Sequence, residues 1–303
     1  MAVYGGEAAW RQYLRPEFLM RLQSLELRAR YVVEGFLVGI HRSPYHGFSV
    51  EFAEHRQYHP GDEPRLIDWK VYARTDRFYV KQFEEETNVR TLIALDCSAS
   101  MGFQYESSLS KWGYAALCVA ALTYLLLRQK DAVGLALYNT GVQVYRPPSA
   151  RASQFREIVQ LLEETEPTGR THIATALSQL AERLRRRSLV VLCSDFLDAV
   201  DESVAALRRL RAQNHEVIAL QILEPVERTL EIARAADFQD LETAERMPIH
   251  PYFLRNDYRH AFEQHQRQLA TGCAEHGIDF FSIDTTTPFD RVLRQYLAKR
   301  RRM

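Results

Sequence analysis

No stretch of the 303 residues reaches the roughly 20 consecutive apolar positions that a membrane-spanning helix needs. The most apolar window, Ala115 to Leu127, is shorter and is followed by Arg128 and Lys130, so a buried helix is expected there. The first residues lack the basic-then-apolar order of a secretory signal, and a cytoplasmic protein with no integral membrane segment is expected. Net charge is missing too: 39 Lys and Arg balance 39 Asp and Glu, which argues against a dedicated nucleic-acid binder. The one basic cluster, Lys299 to Arg302, is expected to be a solvated helix end, where cations suit the helix dipole. Cysteine is scarce, and Cys97, Cys118, Cys193 and Cys273 show no CxxC spacing, so reduced core thiols are expected rather than a zinc or redox site. His41, His46, His55 and His59 lie close in sequence, yet their spacings of 5, 9 and 4 fit no common zinc pattern. Internal repeats, a glycine–lysine phosphate loop and a GxSxG nucleophile elbow are also absent.

What the chain does have, from about residue 91, is alternation. Thr91–Leu95, Ala132–Tyr138, Leu189–Cys193, Glu216–Leu223 and Ile278–Ile283 are apolar runs of strand length. Helical spacing marks Leu109–Arg128, the segment holding Phe155, Ile158, Val159, Leu161 and Leu162, then His172–Arg186, Asp201–Asn214, Tyr252–His276 and Pro288–Arg300. Val142–Tyr145 is expected to pair back across the Asn139-Thr140-Gly141 turn, and Glu224–Pro251 to be irregular with short β-like pieces. The alternation predicts an α/β fold, a doubly wound, mostly parallel sheet covered on both faces. Residues 1–90 are aromatic-rich and are expected to form a smaller unit packed on the domain of 91–303. A helix is expected there at Phe18–Tyr31, strands at Phe48–Phe52 and Phe78–Phe83, and a turn from Tyr58 to Asp62.

Two aspartates directly follow apolar strands: Asp96 after Thr91–Leu95, and Asp195 after Leu189–Cys193. In an open doubly wound sheet, ligands bind outside the carboxyl ends of the strands where strand order reverses. If the two strands are neighbours flanking that reversal, the carboxylates converge. Ser98 and Ser100 sit just beyond Asp96, and Thr171 lies in the Thr168-Gly169-Arg170-Thr171 loop on the same edge. Two carboxylates and three hydroxyls make an all-oxygen set, suited to Mg²⁺, with Mn²⁺ or Ca²⁺ as alternatives, and one position can stay open for an incoming carboxylate. The structural alternatives are helix caps for Asp96, Ser98, Ser100 and Thr171, and Asp198 as a competitor for the role of Asp195.

The pattern Asp-x-Ser-x-Ser, a distant Gly-x-Thr and a later Ser-Asp resembles the metal-ion-dependent adhesion site (MIDAS) of von Willebrand factor type A domains. The string Gly35 to Phe52, then Arg56-x-Tyr58-x-Pro60-Gly61-Asp62, Arg65 to Trp69 and Ala73-Arg74 resembles the domain-of-unknown-function 58 (DUF58) family, and Tyr79 to Thr87 and Asp96 to Met101 continue it. This resemblance runs from about Phe18 to the end. It implies a von Willebrand A-like fold, with Asp96, Ser98, Ser100, Thr171 and Asp195 as metal ligands. It also implies association with an AAA+ ATPase of the MoxR type, encoded beside many such proteins, in chaperone-like maturation or regulation of other proteins. His172 departs from the family, which more often has Asp after the threonine. Arg56, Asp62, Arg65, Asp68, Trp69 and Arg74 are expected to form a salt-bridged structural network, with a partner surface as the alternative.

The expected function is therefore a metal-dependent protein-interaction module that docks a partner carboxylate, and not an enzyme. A metal-assisted hydrolase or phosphotransferase is the alternative from another class, with Asp195 or His172 as the available bases. A scaffold that carries no metal is the third.

Overall fold

The computed structural model describes residues 14–41, 55–58, 69–81, 89–232 and 236–300. They belong to two compact units, one of residues 40–88 and one of 1–39 together with 89–303. In chain order the first helices are α1 (Pro16–Leu19) and α2 (Leu25–His41). The helix expected at Phe18–Tyr31 is thus two, split at 20–24, and α1 and α2 as far as residue 39 fall in the larger unit.

In the smaller unit β1 (His55–Gln57) pairs antiparallel with β2 (Tyr79–Lys81), and α3 (Trp69–Thr75) lies between them in sequence. Tyr58 donates its backbone N–H to Phe78 at 3.0 Å, and Tyr72 stacks on Phe78 at 4.4 Å with Trp69 edge-on. The strand expected at Phe48–Phe52, the turn beyond Tyr58, the network residues Asp62, Arg65 and Asp68, and His46 and His59 of the histidine group lie outside the described residues.

The larger unit is built on a six-stranded sheet. Its strands are β3 (Arg90–Asp96), β4 (Ala132–Tyr138), β5 (Val142–Ser149), β6 (Leu189–Ser194), β7 (Glu216–Leu223) and β10 (Asp279–Asp284), in the order β10-β7-β6-β3-β4-β5. All neighbours are parallel except the edge pair β4–β5. The doubly wound, mostly parallel α/β architecture expected from the sequence is therefore the observed one. The inner strands are buried almost end to end because both faces are covered, which is why their sequences are unbroken apolar runs. Helices α4 (Lys111–Arg128), α5 (Ser153–Glu164) and α10 (Phe289–Arg300) cover one face; α6 (Ile173–Arg183), α7 (Val200–Ala212) and α9 (Pro251–Glu275) cover the other. On the second face Leu177, Leu207 and Leu269 close over Leu92, Val190 and Ala219. Helix α2 lies on the first face, with Glu34 bonded to Arg128 at 3.2 Å and Arg30 over the rings of Tyr124 and Phe155.

Strand β5 runs to Ser149, through Pro147-Pro148. A bulge where Val133 and Leu135 face it accommodates the prolines, and β4 has no side chain at Gly134, where a Cβ would lie 2.6 Å from the Arg146 carbonyl oxygen. Within the segment expected to be irregular, α8 (Pro225–Thr229) is followed by an antiparallel hairpin, β8 (Ala236–Gln239) with β9 (Arg246–Ile249). The basic end of α10 is not a solvated tip: Lys299 bonds Asp279 at 2.7 Å and Glu216 at 3.0 Å, and Arg300 bonds Asp131 at 2.5 Å. Sequence position alone could not show that this helix ends over the amino ends of three strands. All four cysteines are buried and unpaired, and burial pushes the Cys273 thiol up to about 11. Among the described residues, no helix is long and apolar enough to cross a membrane.

Candidate functional site

Strands β3 and β6 run side by side with Leu95 opposite Cys193, so their carboxyl ends deliver Asp96 and Ser194-Asp195 to one spot. Strand order reverses between them, since β4 and β5 continue on one side and β7 and β10 on the other. The loops beyond are clamped together. Ala99 donates to the Gly169 carbonyl at 2.9 Å and Thr168 to that of Cys97 at 2.8 Å, while Gly169 takes a φ of 79° that side chains disfavour. This clamp brings Thr171, 75 positions away in sequence, over Asp96.

Asp96 is fully buried and takes its hydrogen bonds from uncharged groups. Its Oδ1 accepts from the Ser98 backbone at 2.9 Å, its Oδ2 from the Ser194 hydroxyl at 2.7 Å, and the Thr171 hydroxyl lies 3.3 and 3.2 Å from the two oxygens. The Ser98 and Ser100 hydroxyls are 3.0 Å apart. Burial, and next the nearby Asp195 carboxylate, pushes Asp96 up to about 7 against the pull of its hydrogen bonds to Ser98 and Ser194.

Asp195 is held differently. Its Oδ2 accepts from Lys111 Nζ at 2.8 Å, and the same ammonium bonds Glu227 at 2.6 Å. Lys111 is almost wholly buried at the first turn of α4, where a cation opposes the helix dipole. Only the two carboxylates make that position tolerable, and they hold its pKa above the usual lysine value despite burial. Phe196 turns the loop past Asp195 with a φ of 51°, and Gln221 donates to the Asp195 carbonyl at 2.8 Å.

A further carboxylate enters from the β8–β9 tip. Glu242 Oε2 lies 3.3 Å from the Thr171 backbone nitrogen and Oε1 lies 3.4 Å from its hydroxyl. Asp198 stands at the rim, its pKa raised by burial and then by Asp195 and Glu242, with His172 pulling the other way.

Of the residues singled out from the sequence, Asp96, Ser98, Ser100 and Thr171 form one hydrogen-bonded chain, and Asp195 stands beside it on the neighbouring strand. Ser194 is part of the Ser-Asp motif without a role of its own there, and the sequence does not single out Lys111, Glu227 or Glu242. Lys111 had a signal, a lone cation opening the most apolar helix of the chain. Glu242 had none, because only the hairpin geometry carries it to Thr171. Within the described residues no three His, Cys, Asp or Glu side chains form a metal cluster by themselves, so a cation here would need hydroxyl oxygens and water as well. That donor set, oxygen throughout with no cation beside Asp96 among the described residues, fits a hard divalent cation and suits zinc poorly.

Known proteins place the chain. A solved structure similar to it is the conserved hypothetical protein BatB from Bacteroides thetaiotaomicron, with a TM-score of 0.50 and 17% identity, covering 71% of this chain and 100% of that one; the likeness is one of fold. Uncharacterized proteins of Mycobacterium bovis and Mycobacterium tuberculosis are each 30% identical over 295 residues, covering 95% of this chain and 91% of theirs. The family described as "Protein of unknown function DUF58" matches residues 54–268, and the chain belongs to it.

Proposed function

We propose that this chain is a cation-dependent protein-interaction module, an adaptor that holds a partner's carboxylate at the Asp96 site. The reading rests on one observation: a fully buried aspartate at the reversal point of the sheet, surrounded by the hydroxyls of Ser98, Thr171 and Ser194 and with no direct cationic partner among the described residues. Asp96, Ser98, Ser100, Thr171 and Asp195 would hold the cation, Mg²⁺ first and Mn²⁺ or Ca²⁺ as alternatives. When bound, the cation supplies a directional contact to a carboxylate without any chemical step. The partner favoured by the family resemblance is a MoxR-type AAA+ ATPase, with the adaptor presenting or releasing client proteins.

Titration calorimetry with Mg²⁺ tests the site. The wild type should bind, Asp96→Ala should lose more than about 100-fold in affinity, and both should keep the same circular dichroism. Capture of the ATPase should fail with chelator and with Asp96→Ala alike. Equal Mg²⁺ affinity in the two proteins would end this reading.

One observation favours a second reading, a scaffold that uses no metal. Lys111 already places a positive charge 2.8 Å from Asp195, so that carboxylate is neutralised from within the chain. No heat of Mg²⁺ binding to the wild type would select this alternative.

A further inference from the structure

We infer that Glu242 is a built-in occupant of the site: the β8–β9 tip holds its carboxylate where an incoming carboxylate would dock, so the hairpin withdraws before a partner binds. The inference rests on the adaptor reading and extends it to how access is controlled.

The tip is shaped to present this side chain. Asp240 Oδ1 accepts the backbone N–H groups of Glu242 at 2.7 Å and Thr243 at 3.1 Å. Asp240 N–H bonds the Glu245 carbonyl, and Ala244 closes the turn at a φ of 61°. The loop is therefore locally ordered, with Glu242 directed at Thr171.

The contact itself is of a kind that releases. Its two distances, 3.3 and 3.4 Å, are long for bonds to a carboxylate. The Thr171 hydroxyl has one proton and faces two carboxylates, those of Asp96 and Glu242, so it can serve only one at a time. Two anions separated by one hydroxyl repel each other unless positive charge lies between them. A cation on Asp96 would turn that repulsion into attraction and make Glu242 a carboxylate ligand supplied in cis.

The neighbouring residue extends the mimicry. Leu241 lines a cavity of about 620 Å³ together with Phe238, Ile249 and Leu254, and the cavity reaches Ser100 and Lys111. The hairpin thus lays an apolar side chain and a carboxylate side by side against the site. Its withdrawal would clear the cation position and widen the cavity in one movement, for a partner segment offering an acidic residue next to an apolar one.

The test uses the full chain with Mn²⁺ as the probe and acetate as the competing carboxylate, in the wild type, Glu242→Gln and the loop control Glu245→Gln. Water-proton relaxation counts the exchangeable waters on bound Mn²⁺. Glu242→Gln should gain one water and bind Mn²⁺ several-fold more weakly. Acetate should displace that water at a roughly tenfold lower concentration than it needs to act on the wild type, because a tethered competitor has been removed. Glu245→Gln should behave as the wild type. Equal hydration and acetate response in wild type and Glu242→Gln, with Asp96-dependent Mn²⁺ binding intact, would overturn the inference alone; Glu242 would then only tie the hairpin to Thr171. Loss of Asp96-dependent binding in the wild type would overturn the adaptor reading as well. Hydrogen exchange on the unmodified protein gives an answer that needs no variant. Mn²⁺ should slow exchange across residues 236–249 and acetate should restore it, while no response to either would count against the in-cis ligand.

Discussion

At the amino ends of the strands, Glu216 lies between Lys299 and Arg211, Asp279 bonds Lys299, and Asp131 bonds Arg300. At the carboxyl ends, Asp96 has hydroxyls and a backbone N–H, while Asp195 and Glu227 share the single ammonium of Lys111. The titration behaviour follows this division. Burial pushes Glu216 up, but Lys299 and Arg211 pull harder and leave it below the usual range. Burial takes Asp131 to about 6 with Arg300 pulling it back, whereas Asp96 reaches about 7 with another carboxylate adding to the push. One edge of the sheet is electrostatically closed by its own last helix. Among the described residues the other gives Asp96 no cationic partner, and that deficit is what the proposed metal ion would fill.

Lys111→Met should break this comparison most severely. It leaves Asp195 and Glu227 without their counter-ion, and urea unfolding should show a loss of about 3–5 kcal/mol. Saturating Mg²⁺ should restore part of that loss, since a cation beside Asp195 can replace the missing charge. A cost below about 1 kcal/mol would mean that the carboxyl edge is not short of positive charge. At the other edge Lys299→Met should cost less, about 2 kcal/mol, because Arg211 still serves Glu216 and only Asp279 is left without its cation. Mg²⁺ should not rescue it, and rescue there would erase the distinction between the edges.

The smallest effect concerns pH. His215 is buried near the amino edge, its Nδ1 accepting from the Ser188 N–H at 3.2 Å. Burial lowers its pKa below 6.5, with a hydrogen bond to the Leu184 backbone acting in the opposite direction. A depressed histidine contributes stability that is present above about 6.5 and is lost as pH falls from there through the folded value. His215→Gln should flatten that acid-side decline by less than about 1 kcal/mol, seen as melting temperature against pH from 7 to 5. A wild-type curve already flat over that range would remove His215 from the account.

Much of this fold is legible in the sequence because the inner strands are buried on both faces, which forces continuous apolar runs such as Leu189–Cys193 and fixes where they end. The same logic exposes Asp96 and Asp195, each a charge standing at the end of such a run. What was not legible depends on contacts far apart in sequence. Residues 14–39 join the larger unit through contacts such as Glu34 with Arg128 and the Leu25 N–H with Glu163. The α10 cations look solvated until the helix is seen over Asp131, Glu216 and Asp279. Glu242 belongs to a polar turn whose sequence resembles any solvated loop, and only the pairing of β8 with β9 aims it. Local pattern identifies what a strand needs, but a side chain supplied from a remote loop leaves no local trace.

The bulged edge at Pro147-Pro148 has a consequence for assembly. An exposed sheet margin invites another chain to add itself as a further strand, and a proline offers no N–H for such a graft. Two in succession, beside a bulge, leave that margin of β5 without a continuous docking rail. Strand addition by an extended peptide is thereby disfavoured along this part of β5, and the docking proposed above would fall to the loops at the strand ends, where selectivity depends on side-chain chemistry rather than on generic backbone pairing.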